Sequence, residues 1–459
     1  MAVFHRPAPS QTSPQAQTPK PFSEPCSNKP FSKRRTLAKH LGSALLGGLA
    51  AAALVPPGIQ AARAEFQDSP KAVLDEAWQI VSREYVDGTF NQNDWNRVRQ
   101  DLLSRDYTSK EAAYDALKEA LEKLGDPYTR FMDPATFKKL AEQTNGSLSG
   151  IGIRLRRTED RKRLVVQDPL PDSPAAKAGL LRGDVILAID GEPTQGMKSK
   201  RASSLIRGEV GTAVNLTIER SGSEPFEVSV TRARIELPIV RSQVNQEGDL
   251  KVGYIRLNEF SATAAGQMQD AIKKMEAAKV DSYVLDLRAN PGGLLRASIE
   301  IARMWLDQGS IVSTTDRGGD RRSERATETA LTDAPMVVLV DKDSASASEI
   351  LTGALQDNRR AVVVGTKTFG KALVQSVHKL ADGSGIAVTV ARYFTPSGVD
   401  INETGIEPDV SVPLTKAQRY YLLANRSVQG SEQDLQYSRA VGLLRSEVAA
   451  SNSVPELNF

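Results

Sequence analysis

Cysteine and histidine are almost missing from this chain. Its 459 residues hold one cysteine, Cys26, and three histidines, His5, His40 and His378. Disulfide frameworks, thiol catalysis and Cys-based zinc sites need more than that. A nucleophile-His-Asp arrangement in the body of the chain has only His378 to draw on. Long apolar runs are equally scarce. The one stretch of note, Leu41 to Val55, has 15 residues, short of the roughly 20 that span a bilayer. A basic surface is also lacking once the leader is set apart. Residues 1–64 carry eight basic side chains and one acidic, a net +7 against +3 for the whole chain, so residues 65–459 carry −4. The body therefore shows no electrostatic footprint for nucleic acid.

The leader itself reads as an export signal. A Pro/Ser/Gln-rich stretch from Pro7 to Pro30 cannot build a core. Lys33-Arg34-Arg35 then precedes the apolar run, Pro56-Pro57 ends it, and Ala62-Arg63-Ala64 is a small-residue cleavage signature. A basic region, a short apolar region and such a site predict cleavage after Ala64. An uncleaved membrane anchor is the alternative. Cleavage removes Cys26, His5 and His40, and leaves a chain with no cysteine and one histidine.

The remaining residues predict a multidomain α/β protein. Residues 65–145 show helical spacing in Val73, Ala77, Ile80 and Val81, and again from Ala113 to Leu124. Residues 146–235 change to short alternating runs, among them Val185–Ile189, Val214–Ile218 and Phe226–Val230, with Asp190-Gly191 as a tight-turn signal. That predicts a small β-rich domain. Residues 236–447 alternate short apolar strands (Val252–Leu257, Tyr283–Leu287, Met336–Val340, Ala361–Val364) with helical patterns at 262–278, 294–307 and 346–358. A mostly parallel sheet covered on both faces follows. Val374–Leu380 and Gly385–Phe394 read as a hairpin turning at Asp382-Gly383. A last helix over 415–447 is interrupted near Gly430, and 448–459 is a tail.

Three segments could carry chemistry. Gly365-Thr-Lys-Thr-Phe-Gly370-Lys371-Ala372 nearly matches a phosphate-binding loop. Ala372 stands where a magnesium-binding hydroxyl belongs, however, and the next residues alternate as a strand where a helix should open. No nucleotide is expected there, and Lys371 needs another explanation. Asp343-Ser-Ala-Ser346-Ala-Ser-Glu349 joins a buried strand to an apolar helix, either as a plain helix cap or as a site at a sheet edge. Asp286-Leu-Arg288-Ala-Asn290-Pro-Gly292-Gly293 is a Gly-rich turn, either a loop or a set of N–H donors facing negative charge.

Together these segments resemble the carboxyl-terminal processing proteases, a tail-specific serine protease family. Further matching pieces are Asp126-Pro-Tyr-Thr-Arg-Phe131, Gly150-Ile-Gly-Ile153, Ser173-Pro-Ala-Ala-Lys-Ala-Gly179, Thr395-Pro-Ser-Gly398 and Gly405-Ile-Glu-Pro-Asp409. The resemblance covers nearly all of residues 70–415. The helix Glu76–Asp87 is most similar to members from oxygenic phototrophs, which mature a photosystem II reaction-centre subunit in the thylakoid lumen. By this resemblance Ser346 is the nucleophile and Lys371 the general base. Backbone N–H groups of Gly292 or Gly293 and of Ala347 form the oxyanion hole. Gln375 orients the lysine amine, Glu349 stands near the nucleophile, and Asp357 belongs to a relay in some readings of the family.

A lysine base must be neutral, and burial lowers its pKa. The strand Val362–Val364 and Phe369 are expected to supply those apolar surroundings. Asp357 lies eleven residues past Ser346, about 16 Å along a straight helix, which argues against direct contact.

The β-rich domain resembles a PDZ module. Its turn Gly150, Ile151, Gly152 and Ile153 would offer N–H groups to a terminal carboxylate, and the next strand would pair with the peptide. A dinucleotide loop is excluded, because Leu155 stands where a third glycine is needed. The resemblance implies an enzyme in the thylakoid lumen or periplasm. It would use no metal or cofactor, and its partners would be the carboxyl-terminal tails of exported or membrane proteins. The competing class is an exported peptide-binding scaffold without catalysis.

Overall fold

The computed structural model describes residues 69–158, 160 and 163–452. The leader, its cleavage site, Cys26, His5, His40 and the last seven residues lie outside them. The chain opens with three helices, α1 (Pro70–Glu84), α2 (Trp95–Ser104) and α3 (Lys110–Glu122). Each starts where a side chain can accept a free N–H: Ser69, Asp94 and Ser109 cap Lys71, Arg97 and Ala112. Pro70 suits the first turn of α1, where no N–H is needed. Strand β1 (Arg130–Met132) and helix α4 (Pro134–Asn145) follow.

Next come β2 (Ser147–Gly150), β3 (Ile153–Arg157), β4 (Leu164–Pro169), α5 (Pro174–Lys177), β5 (Val185–Ile189), β6 (Glu192–Pro193), α6 (Ser199–Ile206), β7 (Ala213–Glu219), β8 (Phe226–Thr231) and β9 (Ala233–Glu236). One sheet runs β3-β4-β5-β7-β8 with β6 on β5, and β2 pairs β9 separately. Asp190 and Gly191, both at positive φ, make the tight turn between β5 and β6. The strand alternation closes a core of its own around Ile151, Val166, Leu180, Ile186 and Leu216.

The third part holds β10 (Val240–Glu247), β11 (Leu250–Leu257), α7 (Ala264–Ala277), β12 (Ser282–Asp286), α8 (Leu295–Arg303), β13 (Ser310–Asp316), β14 (Arg321–Arg325), β15 (Met336–Val340), α9 (Ala347–Asp357), β16 (Val362–Gly365), β17 (Leu373–Lys379), β18 (Gly385–Phe394), β19 (Val410–Ser411), α10 (Lys416–Ala424) and α11 (Leu435–Asn452). One six-stranded sheet runs β10-β11-β12-β15-β16-β19, parallel except at β10. Its apolar strands are buried on both faces, as continuous apolar runs require. On one face Ile255, Leu285, Val338 and Val363 pack against α7, α8 and α9. On the other Val252, Val284, Leu339 and Val364 pack against Tyr437, Ala440 and Leu444 of α11.

The expected hairpin is present as β17–β18, but it belongs to a second sheet. Strand β18 pairs β17 along one edge, and β1 and then β13 along the other. The helical segment shares its core with that sheet, because Leu380, Ile386 and Val388 pack among Leu74, Leu117 and Leu121. The last helix breaks at Gly430, whose φ is +74. Among the described residues no helix is long and apolar enough to cross a membrane.

Candidate active site

Three loops leave the carboxyl ends of β12, β15 and β16 and meet. Buried Asn290 ties the first to the second. Its backbone carbonyl accepts Ala345 N–H at 3.0 Å and the Ser348 hydroxyl at 2.9 Å, and its side-chain amide donates to Leu257 O at 2.9 Å. The fully buried Ser344 adds a second tie, its hydroxyl donating to Leu287 O at 2.8 Å. The small side chains around Ser346 are what this approach demands. A Cβ on Gly292 would stand 2.5 Å from Ala345 O and 2.9 Å from Ser346 Cβ, and one on Gly293 would stand 2.3 Å from Phe260 O. Their φ values of +96 and +143 also need glycine.

Ser346 sits at the entry of α9 with φ +55 and ψ −114. A non-glycine residue there stores about 1–3 kcal/mol of strain, and sharp strand-to-helix turns of this kind carry exposed nucleophiles. Glu349 holds the turn. One oxygen accepts the N–H of Ser346 at 2.8 Å and of Lys371 at 2.9 Å; the other accepts the Thr368 hydroxyl at 2.6 Å and Gly370 N–H at 2.7 Å. On the carbonyl side, the Tyr393 hydroxyl lies 2.5 Å from Lys371 O and 3.2 Å from Ser346 O. The backbones of Ser346 and Lys371 are thus clamped to each other twice. Burial pushes the Tyr393 phenol well above its ordinary pKa, so it stays a donor.

Two N–H groups beside Ser346, those of Ala347 and Gly293, find no acceptor among the described residues. The N–H of Gly292 is taken, because it donates to Asn290 Oδ1 at 2.9 Å. The Lys371 ammonium has no hydrogen bond or ion pair there either, and lies 4.2 Å from the centroid of the Tyr128 ring. Burial lowers its pKa to about 8, with Arg130 pushing the same way and Asp126 and Glu349 opposing. Phe369, expected to shield the lysine, is instead 53% exposed, and Tyr128 from the helical segment faces the amine.

The other expected residues are placed elsewhere. The Gln375 amide lies 3.5 Å from Thr389 Oγ1 and makes no hydrogen bond to Lys371. Asp357 closes the far end of α9, accepting the Ser397 N–H at 2.9 Å and hydroxyl at 2.8 Å. His378 pairs with Glu84 at 2.7 Å and takes no part in a triad. The loop after Gly365 leads into strand β17, as the sequence suggested, and opens no helix. Tyr128 and Tyr393 went unread in the sequence, and Asn290 was seen only as part of the Asp286–Gly293 motif with no role of its own. Tyr128 lies inside the Asp126–Phe131 motif, which was the one signal available.

In the β-rich domain Gly152 has φ +79, and Ser173 packs where its Cβ would go. The carbonyls of Ile151 and Gly152 accept Ala175 and Leu170, whereas the N–H groups of both point to no acceptor among the described residues. Strand β3, which starts at Ile153, is an edge strand.

The PDZ domain family matches residues 165–220, and Peptidase family S41 matches residues 251–412. The carboxyl-terminal-processing protease of Picosynechococcus sp. is 46% identical over 385 residues, covering 84% of this chain and 91% of its own. That of Synechocystis sp. is 42% identical, covering 90% and 96%. The solved photosystem II D1 C-terminal processing protease is 37% identical, covering 75% of this chain and 93% of its own, with a TM-score of 0.47. The molecule is therefore a serine-type hydrolase with a PDZ domain. It belongs to the carboxyl-terminal-processing proteases of peptidase family S41.

Proposed function

We propose that Ser346 and Lys371 form the catalytic dyad of this protease, and that it trims the carboxyl-terminal extension of a photosystem II reaction-centre protein in the thylakoid lumen. The observation that carries the dyad is the double clamp by Glu349 and Tyr393, which fixes a lysine of lowered pKa beside a strained serine. The substrate reading rests on the similarity to the D1 processing protease and to the cyanobacterial and chloroplastic relatives.

In the reaction, neutral Lys371 leaves the Tyr128 ring and takes the proton of Ser346 Oγ as that oxygen attacks the scissile carbonyl. The N–H groups of Gly293 and Ala347 receive the developing oxyanion; removing one such donor typically costs about 10²–10³ in rate. Lys371 passes its proton to the leaving amine as the C–N bond breaks. It then accepts a proton from the water that attacks the acyl-serine and returns it to Ser346 Oγ as the acyl–oxygen bond breaks.

Substrate choice belongs to residues 146–235. The N–H groups of Ile151 and Gly152 bind the free terminal carboxylate, and the tail pairs along β3 opposite α6. Residues 236–447 then cut upstream of the captured end.

Ser346→Ala and Lys371→Ala each abolish peptide hydrolysis while leaving the fold intact by circular dichroism. A free-acid tail peptide is cut far faster than its amidated twin. Equal cleavage of acid and amide removes carboxylate capture; normal turnover by either variant removes the dyad.

A further inference from the structure

Along each strand of the parallel sheet, alternate residues face α11, and at the carboxyl ends that alternation stops being apolar. After Val252 and Tyr254 comes Arg256, after Val284 come Asp286 and Arg288, after Leu339 comes Asp341, and after Val364 comes Thr366. These residues open into a cavity of about 570 Å³ roofed by α10, on the face of the sheet away from α9 and Ser346. The crevice outside the carboxyl ends of parallel strands is where open α/β sheets take ligands.

The cavity is short of negative charge. Arg256 and Arg288 share Asp286, and Arg288 also meets Asp434. Lys342 and Arg419 share Asp343, Arg419 reaches Asp341 at 3.5 Å, and Lys367 pairs with Glu407. Lys416 lines the cavity with no anionic partner among the described residues. Six cationic side chains therefore line the cavity, and of the five carboxylates that pair with them only Asp341 lines it. Arg256 is 5% exposed, and its Nε–H, like that of Arg419, is buried with no acceptor among the described residues. A buried N–H donor of this kind is satisfied by an acceptor that enters the cavity. Part of the lining is apolar: Leu414, and on α10 Leu422, Leu423 (41% exposed) and Tyr420 (77% exposed).

We propose that this crevice binds an oxyanion (phosphate, sulfate or carboxylate) borne on an apolar body, with Arg256, Arg419 and Lys416 around the anion and α10 against the apolar part. An anionic lipid headgroup has this chemistry, and basic and aromatic side chains on one short helix suit a membrane surface. A soluble phosphate shares the anionic half.

The test uses residues 65–459, which contain all four hydrophobic cores described above. Thermal melts in inorganic phosphate against chloride at equal ionic strength read the free anion. Flotation with phosphatidylcholine vesicles, with and without about a third phosphatidylglycerol, reads the lipid. Two lost charges at about 1 kcal/mol each weaken binding about thirtyfold in the Lys416→Gln/Arg419→Gln variant. Lys416→Gln alone, an exposed side chain with no partner to lose, weakens it about fivefold and guards against misfolding of the double variant. Both leave turnover of a soluble peptide unchanged. Phosphate-dependent stabilisation that the variants lose supports the site. Capture only on phosphatidylglycerol vesicles, lost in the variants, supports it and assigns the lipid as its source. No response to either probe, or a response the variants share with the parent, overturns it.

Discussion

With Lys371 as the proposed base, its protonation sets the pH at which this enzyme works. Its pKa near 8 comes from burial first and Arg130 second, while the Tyr128 ring under the ammonium favours the charged form. Only the neutral amine accepts a proton, so kcat/KM rises with pH through about 8. Tyr128→Leu removes the attraction to the charge, and the rise moves to lower pH by about half a unit to one unit. Tyr128→Phe keeps the ring and the profile. Arg130→Gln removes a like charge and moves the rise to higher pH. A profile that Tyr128→Leu leaves in place contradicts the role given to the ring. Ser346 and Lys371 were legible because small residues and glycine surround them in a motif. Tyr128 and Tyr393 were not, because each meets Lys371 only through tertiary packing, from 243 residues before it and from 22 residues after it. Phe369 misled because apolarity in sequence does not say which way a loop side chain points.

At the scale of elements, the site is a junction of three strand ends held by Glu349, which is buried within the first turn of α9. Glu349→Ala leaves four donors without their acceptor, three of them backbone N–H groups. We expect a loss of about 3–5 kcal/mol in chemical denaturation and a fall in kcat larger than any change in KM. Unchanged stability and kcat would show that the clamp is dispensable. Gly293→Ala pushes a methyl into Phe260 O and lowers kcat by about a hundredfold or more, with the PDZ core untouched. The parallel strands were legible because each is a short apolar run between helical patterns. Strand β14, Arg321–Arg325, was invisible because all five residues are exposed and charged or polar. Strand β1 was missed because three residues, Arg130–Met132, make no pattern until Ala387, Ile386 and Gly385 pair with them.

The whole molecule is pinned from the C-terminal side by a buried ion network. Burial alone would raise the pKa of Asp286, but Arg256 and Arg288 beside it hold the carboxyl well below its usual range. The folded pKa therefore lies below the unfolded value of about 3.9. Its contribution to stability is present above that pH and is lost as pH falls through the folded value. Asp434 joins Arg288 to the segment that opens α11. Asp434→Ala leaves the buried guanidiniums of Arg256 and Arg288 to share the single carboxylate of Asp286 and costs about 3–5 kcal/mol, read as a lower melting temperature. Turnover well below that temperature stays near the parent's; an unchanged melting temperature contradicts the pin. The sequence showed Asp286 and Arg288 only as parts of a Gly-rich motif, with no role of their own. Their structural task became visible only when α11 folded back with Asp434, 146 residues beyond Arg288. The sharing of one core between the helical segment and β18 was hidden for the same reason.

The claim on which the account rests is that a neutral amine at position 371 takes the serine proton. It is tested by the kcat/KM of Lys371→Arg from about pH 6 to 10, on a free-acid tail peptide. A guanidinium stays protonated throughout that range, so the account predicts turnover at least about a thousandfold below the parent at every pH. Turnover within tenfold of the parent, rising with the same pH dependence, would contradict it.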